Sequence, residues 1–128
     1  MSVNPAVFRT FQEESEERLD DMESGILAMY EMPDRLDPEL IHSIFRDAHS
    51  VKAGANLLGY KNIEVLSHKL ENILDMVRTG RMTPTALVTD TLLQTLDRIH
   101  DLVDDVDASN AADISDVLDA LSRIALSK

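Results

Sequence analysis

Cysteine and tryptophan are absent from the 128 residues, and glycine and proline occur only four times each. Without cysteine there is no disulfide, no thiolate nucleophile and no thiolate ligand for a metal. At this length no such staple is needed, because the chain can bury a core of its own. A thiol-free chain suits the cytoplasm. Long apolar runs are missing too, and none approaches the roughly 20 residues that a membrane span requires. The opening residues, MSVNPAVFRTF, carry neither the basic start nor the apolar stretch of a secretory signal. The expectation is one cytoplasmic domain over residues 1–128, with no membrane insertion.

Positive charge is also scarce. Twelve lysines and arginines face 24 aspartates and glutamates, a formal net charge of −12. A surface this negative repels nucleic acid and anionic lipid, which removes both from the expected partners. The densest acidic stretch, Glu13, Glu14, Glu16, Glu17, Asp20, Asp21 and Glu23, reads as a solvated helix face. Machinery for binding nucleotide is lacking as well. There is no G-x-x-x-x-G-K-[ST] loop and no acidic pair placed to hold magnesium and a nucleotide. No cofactor is expected, and no catalytic activity complete in itself.

What remains is rich in strong helix formers and poor in aromatics, which points to an all-α protein. Asn4-Pro5 opens a first helix to about residue 30, with Phe8, Phe11, Ser15, Leu19, Met22, Ile26 and Met29 recurring on one face. Pro33-Asp34-Arg35-Leu36 interrupts it. Asp37 caps and Pro38 begins a second helix over about 38–58, carrying Ile41, Ile44, Phe45, Ala48, Val51, Ala55 and Leu58, and Gly59 ends it. Asn62 is the expected cap of a third, about 63–79, with Ile63, Leu66, Leu70, Ile73, Leu74 and Val77 inward. Thr83-Pro84 opens a fourth, about 84–107, with Val88, Leu92, Ile99, Val103 and Val106 inward. A shorter fifth helix occupies about 114–126. Short connections make sequential helices antiparallel, so the pattern predicts an up-down-up-down four-helix bundle with a short fifth C-terminal helix.

Four histidines occur, at positions 42, 49, 68 and 100. At about 100° per residue, His49 lies roughly 120° from the centre of its helix's apolar stripe, with Lys52, Ala53 and Asn56 around it. Glu71 lies roughly 120° from the stripe of the third helix, with His68 one turn earlier. The offsets share a sign, so in an antiparallel pair these flanks either face one another or both point away. If they face, His49, Lys52, His68 and Glu71 gather on one wet seam. Such a cluster suits a phosphoryl carrier. A neutral imidazole nitrogen is a competent nucleophile near neutral pH. A carboxylate accepting the N–H of one ring nitrogen makes the other more nucleophilic, and Glu71 is the candidate. Lys52 offers positive charge to incoming phosphoryl oxygens. As part of an exposed flank, Glu71 is expected to cost little stability when truncated.

The run His49-Ser50-Val51-Lys52-Ala53-Gly54-Ala55-Asn56-Leu57-Leu58-Gly59-Tyr60 resembles the H-S-x-K-G-x-A-x-x-x-G-[FY] signature of histidine phosphotransfer (HPt) domains. The segment His68-Lys69-Leu70-Glu71-Asn72-Ile73-Leu74-Asp75 is similar to the H-x-x-E-x-x-L-D segment of the variety at the N-terminus of chemotaxis-type histidine kinases. Phe8, Phe11 and Glu14, followed by Glu17, Leu19 and Leu27, are similar to the start of those kinases. The resemblance covers nearly the whole chain. It implies that His49 is the phosphoacceptor, Lys52 its electrostatic partner, and His68 and Glu71 the supporting residues. It also implies two partners: a kinase ATP-binding domain, in cis or in trans, that donates the phosphoryl group, and a response-regulator receiver domain whose aspartate takes it. Ala53, Asn56 and Leu57 are the expected partner contacts. One departure stands out, because Ala53 occupies the family's glycine four residues after the histidine, adding a methyl group beside the acceptor.

Competing readings are weaker. His49, His68 and Glu71 offer only three metal ligands, and the paired Glu-x-x-His motifs of di-metal bundles are missing, so no metal is expected. A helical adaptor with no phosphorylation is the alternative function. His42, in Ile41-His42-Ser43-Ile44, is a decoy with Phe45 where the motif needs lysine. His100 reads as a surface residue.

Overall fold

The computed structural model describes residues 4–32 and 37–126. Six helices follow one another: α1 Pro5–Glu31, α2 Pro38–Leu58, α3 Lys61–Arg78, α4 Ala86–Asp104, α5 Val106–Ser109 and α6 Ser115–Leu126, with no strand among the described residues. Asn4 caps α1 by accepting the N–H of Ala6 at 2.8 Å, and Asp37 caps α2 by accepting that of Glu39 at 3.0 Å. Gly59 ends α2 at φ 81°, a left-handed conformation that only glycine takes without strain, and the next N–H, of Tyr60, donates back to the carbonyl of Ala55 at 2.8 Å.

Cross-helix pairings set the topology. Between α2 and α3, His49 faces Glu71 and Asn56 faces Glu64, so numbers rise on one helix as they fall on the other. Between α1 and α2, Arg18 reaches Asp47 and Gly25 abuts Ile44. The seven-residue connection 79–85 turns α4 back along α3. Close backbone approaches run α1 to α2 to α3 to α4 and back to α1, with none among the described residues across either diagonal, where only side chains meet in the core. The four long helices form a bundle, with α5 and α6 packed on α3 and α4.

The apolar stripes meet in one core. Ile63, Leu66, Leu70, Ile73, Leu74 and Val77 of α3 are all buried, against Leu19, Met22 and Ile26 of α1 and Leu92, Leu96 and Ile99 of α4. Phe8, Phe45 and Leu58, expected inward, are only half-buried at its edge. Of the four glycines, Gly25 has the least room for a side chain. A methyl group there would fall 2.7 Å from Cγ1 of Ile44, a β-branched side chain with little freedom to move. Gly25→Ala is therefore expected to lower stability by about 1–3 kcal/mol despite the better helix propensity of alanine. Urea denaturation reads it, and an unchanged or raised midpoint would show that the helices separate freely.

Several boundaries depart from the sequence expectation. Helix α3 starts at Lys61, two residues early, and Asn62 is not its cap; Tyr60 holds that position without a side-chain bond. The amide of Asn62 instead donates to the carbonyls of Ser109 and Ala112, at 2.7 and 3.0 Å. Thr85 rather than Thr83 caps α4, accepting the N–H of Val88 at 3.3 Å, so Pro84 lies outside the helix. The fourth helix stops at Asp104, and Val106 belongs to the single turn α5. The last helix begins at Ser115. The predicted interruption at Pro33-Asp34-Arg35-Leu36 falls outside the described residues.

Helices α1 and α4 bring acidic residues together. Glu16 hydrogen-bonds the carboxyl of Asp104, which raises its pKa above the usual carboxylate value, with desolvation adding to the effect. His100 Nε2 stands 3.3 Å from Oδ1 of Asp20 on the same seam, so His100 is a half-exposed partner of α1 rather than free decoration. A carboxyl whose pKa is raised by folding binds its proton more tightly in the native state. Its contribution is complete below the unfolded value and is lost as pH rises through the folded one. Glu16→Gln should thus be more stable than the parent at neutral pH, by no more than about 0.5 kcal/mol at this partly exposed position, and equal to it in acid. Melting curves at several pH values check this; a deficit at neutral pH would contradict it.

Candidate functional site

The middle of α2 alternates between core and surface. Ala48 and Val51 are buried, whereas the His49 side chain between them is 60% exposed. Its Nδ1 lies 3.4 Å from Oε2 of Glu71, across the α2–α3 seam. The other carboxylate oxygen, Oε1, is 2.8 Å from Nζ of Lys52, which lies one turn beyond His49 on α2. A carboxylate bound to an ammonium can only accept, so Nδ1 of His49 carries the hydrogen facing it. Nε2 is left with its lone pair on the other edge of an open ring. Three of the four residues singled out in the sequence thus meet at one carboxylate.

Glu71 differs from expectation in one respect. It is 7% exposed, so it is a buried residue rather than part of an exposed flank. The cause is the extent of the α2–α3 contact, the largest of any helix pair. Ser67 and Glu71 lie one turn apart on α3 and are both covered, which widens the buried face beyond the apolar stripe. The expectation of a small stability cost on truncation is corrected accordingly: Lys52, itself only 26% exposed, would lose its counter-ion.

His68 is exposed and, among the described residues, makes no hydrogen bond or ion pair. It stands level with Lys52 in the antiparallel pairing but is not joined to the His49–Glu71–Lys52 group. Of the expected partner contacts, Ala53 and Leu57 are exposed, Leu57 by 83%. Asn56 is exposed but tied, its amide donating to the carboxylate of Glu64. Glu64 was not read from the sequence. The signal was available, because Asn56 follows His49 by seven residues and Glu64 precedes Glu71 by seven, so one cross-helix pair implies the other. Gly54 has its own reason: the ring of Phe11 would lie 3.1 Å from a methyl group there, and Phe11 in turn packs on Tyr60 at 5.3 Å between centroids. Among the described residues no helix is long and apolar enough to cross a membrane.

The model of the Hpt domain family matches residues 6–124. The chain belongs to the Hpt domain family. Relatives of this Hpt domain include the chemotaxis protein CheA of Salmonella typhimurium, 35% identical over 97 residues, which are 76% of this chain and 14% of that protein. CheA of Rhizobium meliloti is 37% identical over 94 residues, 73% of this chain and 12% of that protein. The chain thus spans about one seventh of the length of such relatives. Among solved structures, the CheA phosphotransferase domain from Thermotoga maritima superposes with a TM-score of 0.74 at 30% identity, covering 82% of this chain and 98% of that one. The phosphorylated P1 domain of CheA3 in complex with CheY6 from R. sphaeroides has a TM-score of 0.78 over 94% of this chain and 96% of that one; at 23% identity it shows the shared fold.

Proposed function

We propose that the chain is one cytoplasmic phosphotransfer unit whose phosphoacceptor is Nε2 of His49, charged by a kinase ATP-binding domain and discharged by a receiver domain. The observation that carries this is the carboxylate of Glu71 on Nδ1, which fixes the tautomer and leaves the solvent-facing nitrogen as the nucleophile.

In the first step the Nε2 lone pair forms a P–N bond to the γ-phosphorus of ATP. The bond from that phosphorus to the bridging oxygen breaks, and its electrons leave with ADP. The ring keeps its Nδ1 hydrogen and becomes formally cationic, a charge that the carboxylate of Glu71 offsets. In the second step an aspartate oxygen of the receiver attacks phosphorus, and the P–N electrons return to Nε2. Lys52 holds Glu71 in place, and its positive charge on the same helix as His49 offsets part of the negative charge of the transferring oxygens. His68 is exposed on the same flank, level with Lys52. The receiver rests on the exposed surface of α2 beside His49, with Ala53, Asn56 and Leu57 beneath it. A carrier must release its partner after each transfer, so this interface is small and short-lived.

Nitrogen-15 and phosphorus-31 NMR of the kinase-treated protein should place the phosphoryl group on Nε2 of His49 and show its loss when a receiver is added. Titration with unphosphorylated receiver should shift amides of α2 around Ala53 to Leu57. Phosphate on Nδ1, or shifts confined to α4 and α6, would overturn the assignment.

A further inference from the structure

The net charge of the molecule is unevenly shared. Residues 38–82, which comprise α2, α3 and the turns beside them, hold six basic and five acidic residues, a balance of +1. The rest of the chain holds six basic and nineteen acidic residues, a balance of −13. The hairpin that carries His49 is therefore close to neutral on an otherwise strongly anionic body. Within it, one place has an ordered surplus of positive charge.

That place is the end of α3. Arg78 and Arg81 both bind the carboxylate of Asp75, Arg78 through Nη2 to Oδ1 and Arg81 through Nη2 to Oδ2 at 3.3 Å. Arg81 is further fixed by its Nε–H donating to Oγ1 of Thr79 at 2.9 Å. Arg78 lies over the ring of Phe45, 5.1 Å from its centroid, and Phe45 is one turn before His49 on α2. One carboxylate neutralises one guanidinium, so the pair keeps a net positive charge. Both side chains remain about half exposed, at 43% and 54%. Arg78 stands seven residues beyond Glu71 along α3, roughly 10 Å at the rise of a helix. The opposite end of the same face is apolar and uncharged at Ala53 and Leu57.

We propose that Arg78 and Arg81 form a docking contact for the phosphoryl donor, the nucleotide-loaded kinase domain, and that the receiver uses the Leu57 end instead. This rests on the reading of His49 as phosphoacceptor. Charge complementarity favours the donor at the cationic end. ATP brings a triphosphate to His49, and on a body of net charge −12 an approach over the acidic helices outside the hairpin meets repulsion. At physiological ionic strength screening weakens charges progressively over about 8 Å, so cations on the acceptor's own hairpin weigh more than the acidic helices behind it. Two fixed guanidiniums need little further ordering to meet an anionic group, which lowers the entropy cost of contact. Separate ends for donor and acceptor let one histidine serve both partners through different contacts.

The test compares Arg78→Glu/Arg81→Glu with the parent in two assays. The first is phosphorylation by ATP and the catalytic domain of a CheA relative freed of its own Hpt segment; the second is discharge by a receiver. The expected result is a fall of about tenfold in kcat/KM for the donor step at low salt, a flatter salt dependence, and a change below about twofold in the receiver step. Arg78→Lys/Arg81→Lys should recover most of the loss, because the charge is retained. An unchanged donor step, or an equal loss in both steps, would overturn the proposal. So would a loss that follows a lowered melting temperature and is not recovered by lysine, since that marks a purely structural cap on α3. Failure of the parent itself to accept phosphate would instead remove the underlying assignment of His49.

Discussion

His49→Gln is expected to take up no phosphate at all from a competent kinase and ATP, a loss limited only by the background of the assay. Glutamine preserves a polar side chain of similar reach but has no nitrogen lone pair able to form a P–N bond. The position is 60% exposed in the His49 side chain, so the variant should melt within about 0.5 kcal/mol of the parent. Phosphate on the parent should be labile in acid and stable in base, as a phosphoramidate is. Label persisting in the variant, mapped to His42, His68 or His100, would give the role to another histidine. His42 is exposed at the start of α2, and among the described residues no carboxylate bonds its ring nitrogens.

Glu71→Ala should damage two properties at once. Phosphorylation of His49 should slow by about 10- to 100-fold, the usual consequence of losing the group that orients a reactive imidazole. Stability should fall by about 1–3 kcal/mol, because Lys52 is left without its partner in a half-buried setting. Glu71→Gln separates the two effects. It fills the same space and still accepts from Nδ1, but it offers Lys52 no charge, so much of the rate should return while part of the stability loss remains. Chemical denaturation and single-turnover phosphorylation measure the pair. A normal rate in Glu71→Ala would detach the carboxylate from the chemistry, and normal stability would contradict its burial.

The helical bundle could be read in advance because each stripe repeats at helical spacing over five to seven residues, and a boundary error of one or two leaves the buried face unchanged. Caps were legible where a proline followed an acceptor, as at Asn4-Pro5 and Asp37-Pro38. They misled where another pairing was stronger. Asn62 serves carbonyls more than forty residues away, and Thr83-Pro84 lies in a turn that Thr85 completes. Spacing also located His49, Lys52 and Glu71 on matching flanks. It could not show that the flank of Glu71 is covered, since a helical projection gives direction but not how far the neighbouring helix extends. The meeting of Arg78 with Phe45 escaped for the same reason: two exposed-looking residues on different helices become one surface only when the register is known.

The bond from Asn62 to Ser109 and Ala112 has company. Asn110 accepts the N–H of Lys61 at 2.7 Å, and its amide donates to the carbonyl of Gly59 at 2.9 Å. Together these bonds clasp the turn between α2 and α3 to the segment around α5. Anyone transplanting the phosphoacceptor hairpin as a minimal cassette would be tempted to cut after α4, once the four long helices are complete. Such a cut would strip Lys61, Gly59 and Asn62 of their partners at the very bend that sets how α2 lies against α3. The amide of Lys61 would then exchange its hydrogen readily with water, and the His49–Glu71 alignment would loosen with it. The clasp makes the residues after α4 part of the acceptor's scaffold, so the smallest unit that keeps these bonds extends past α5 to Ala112.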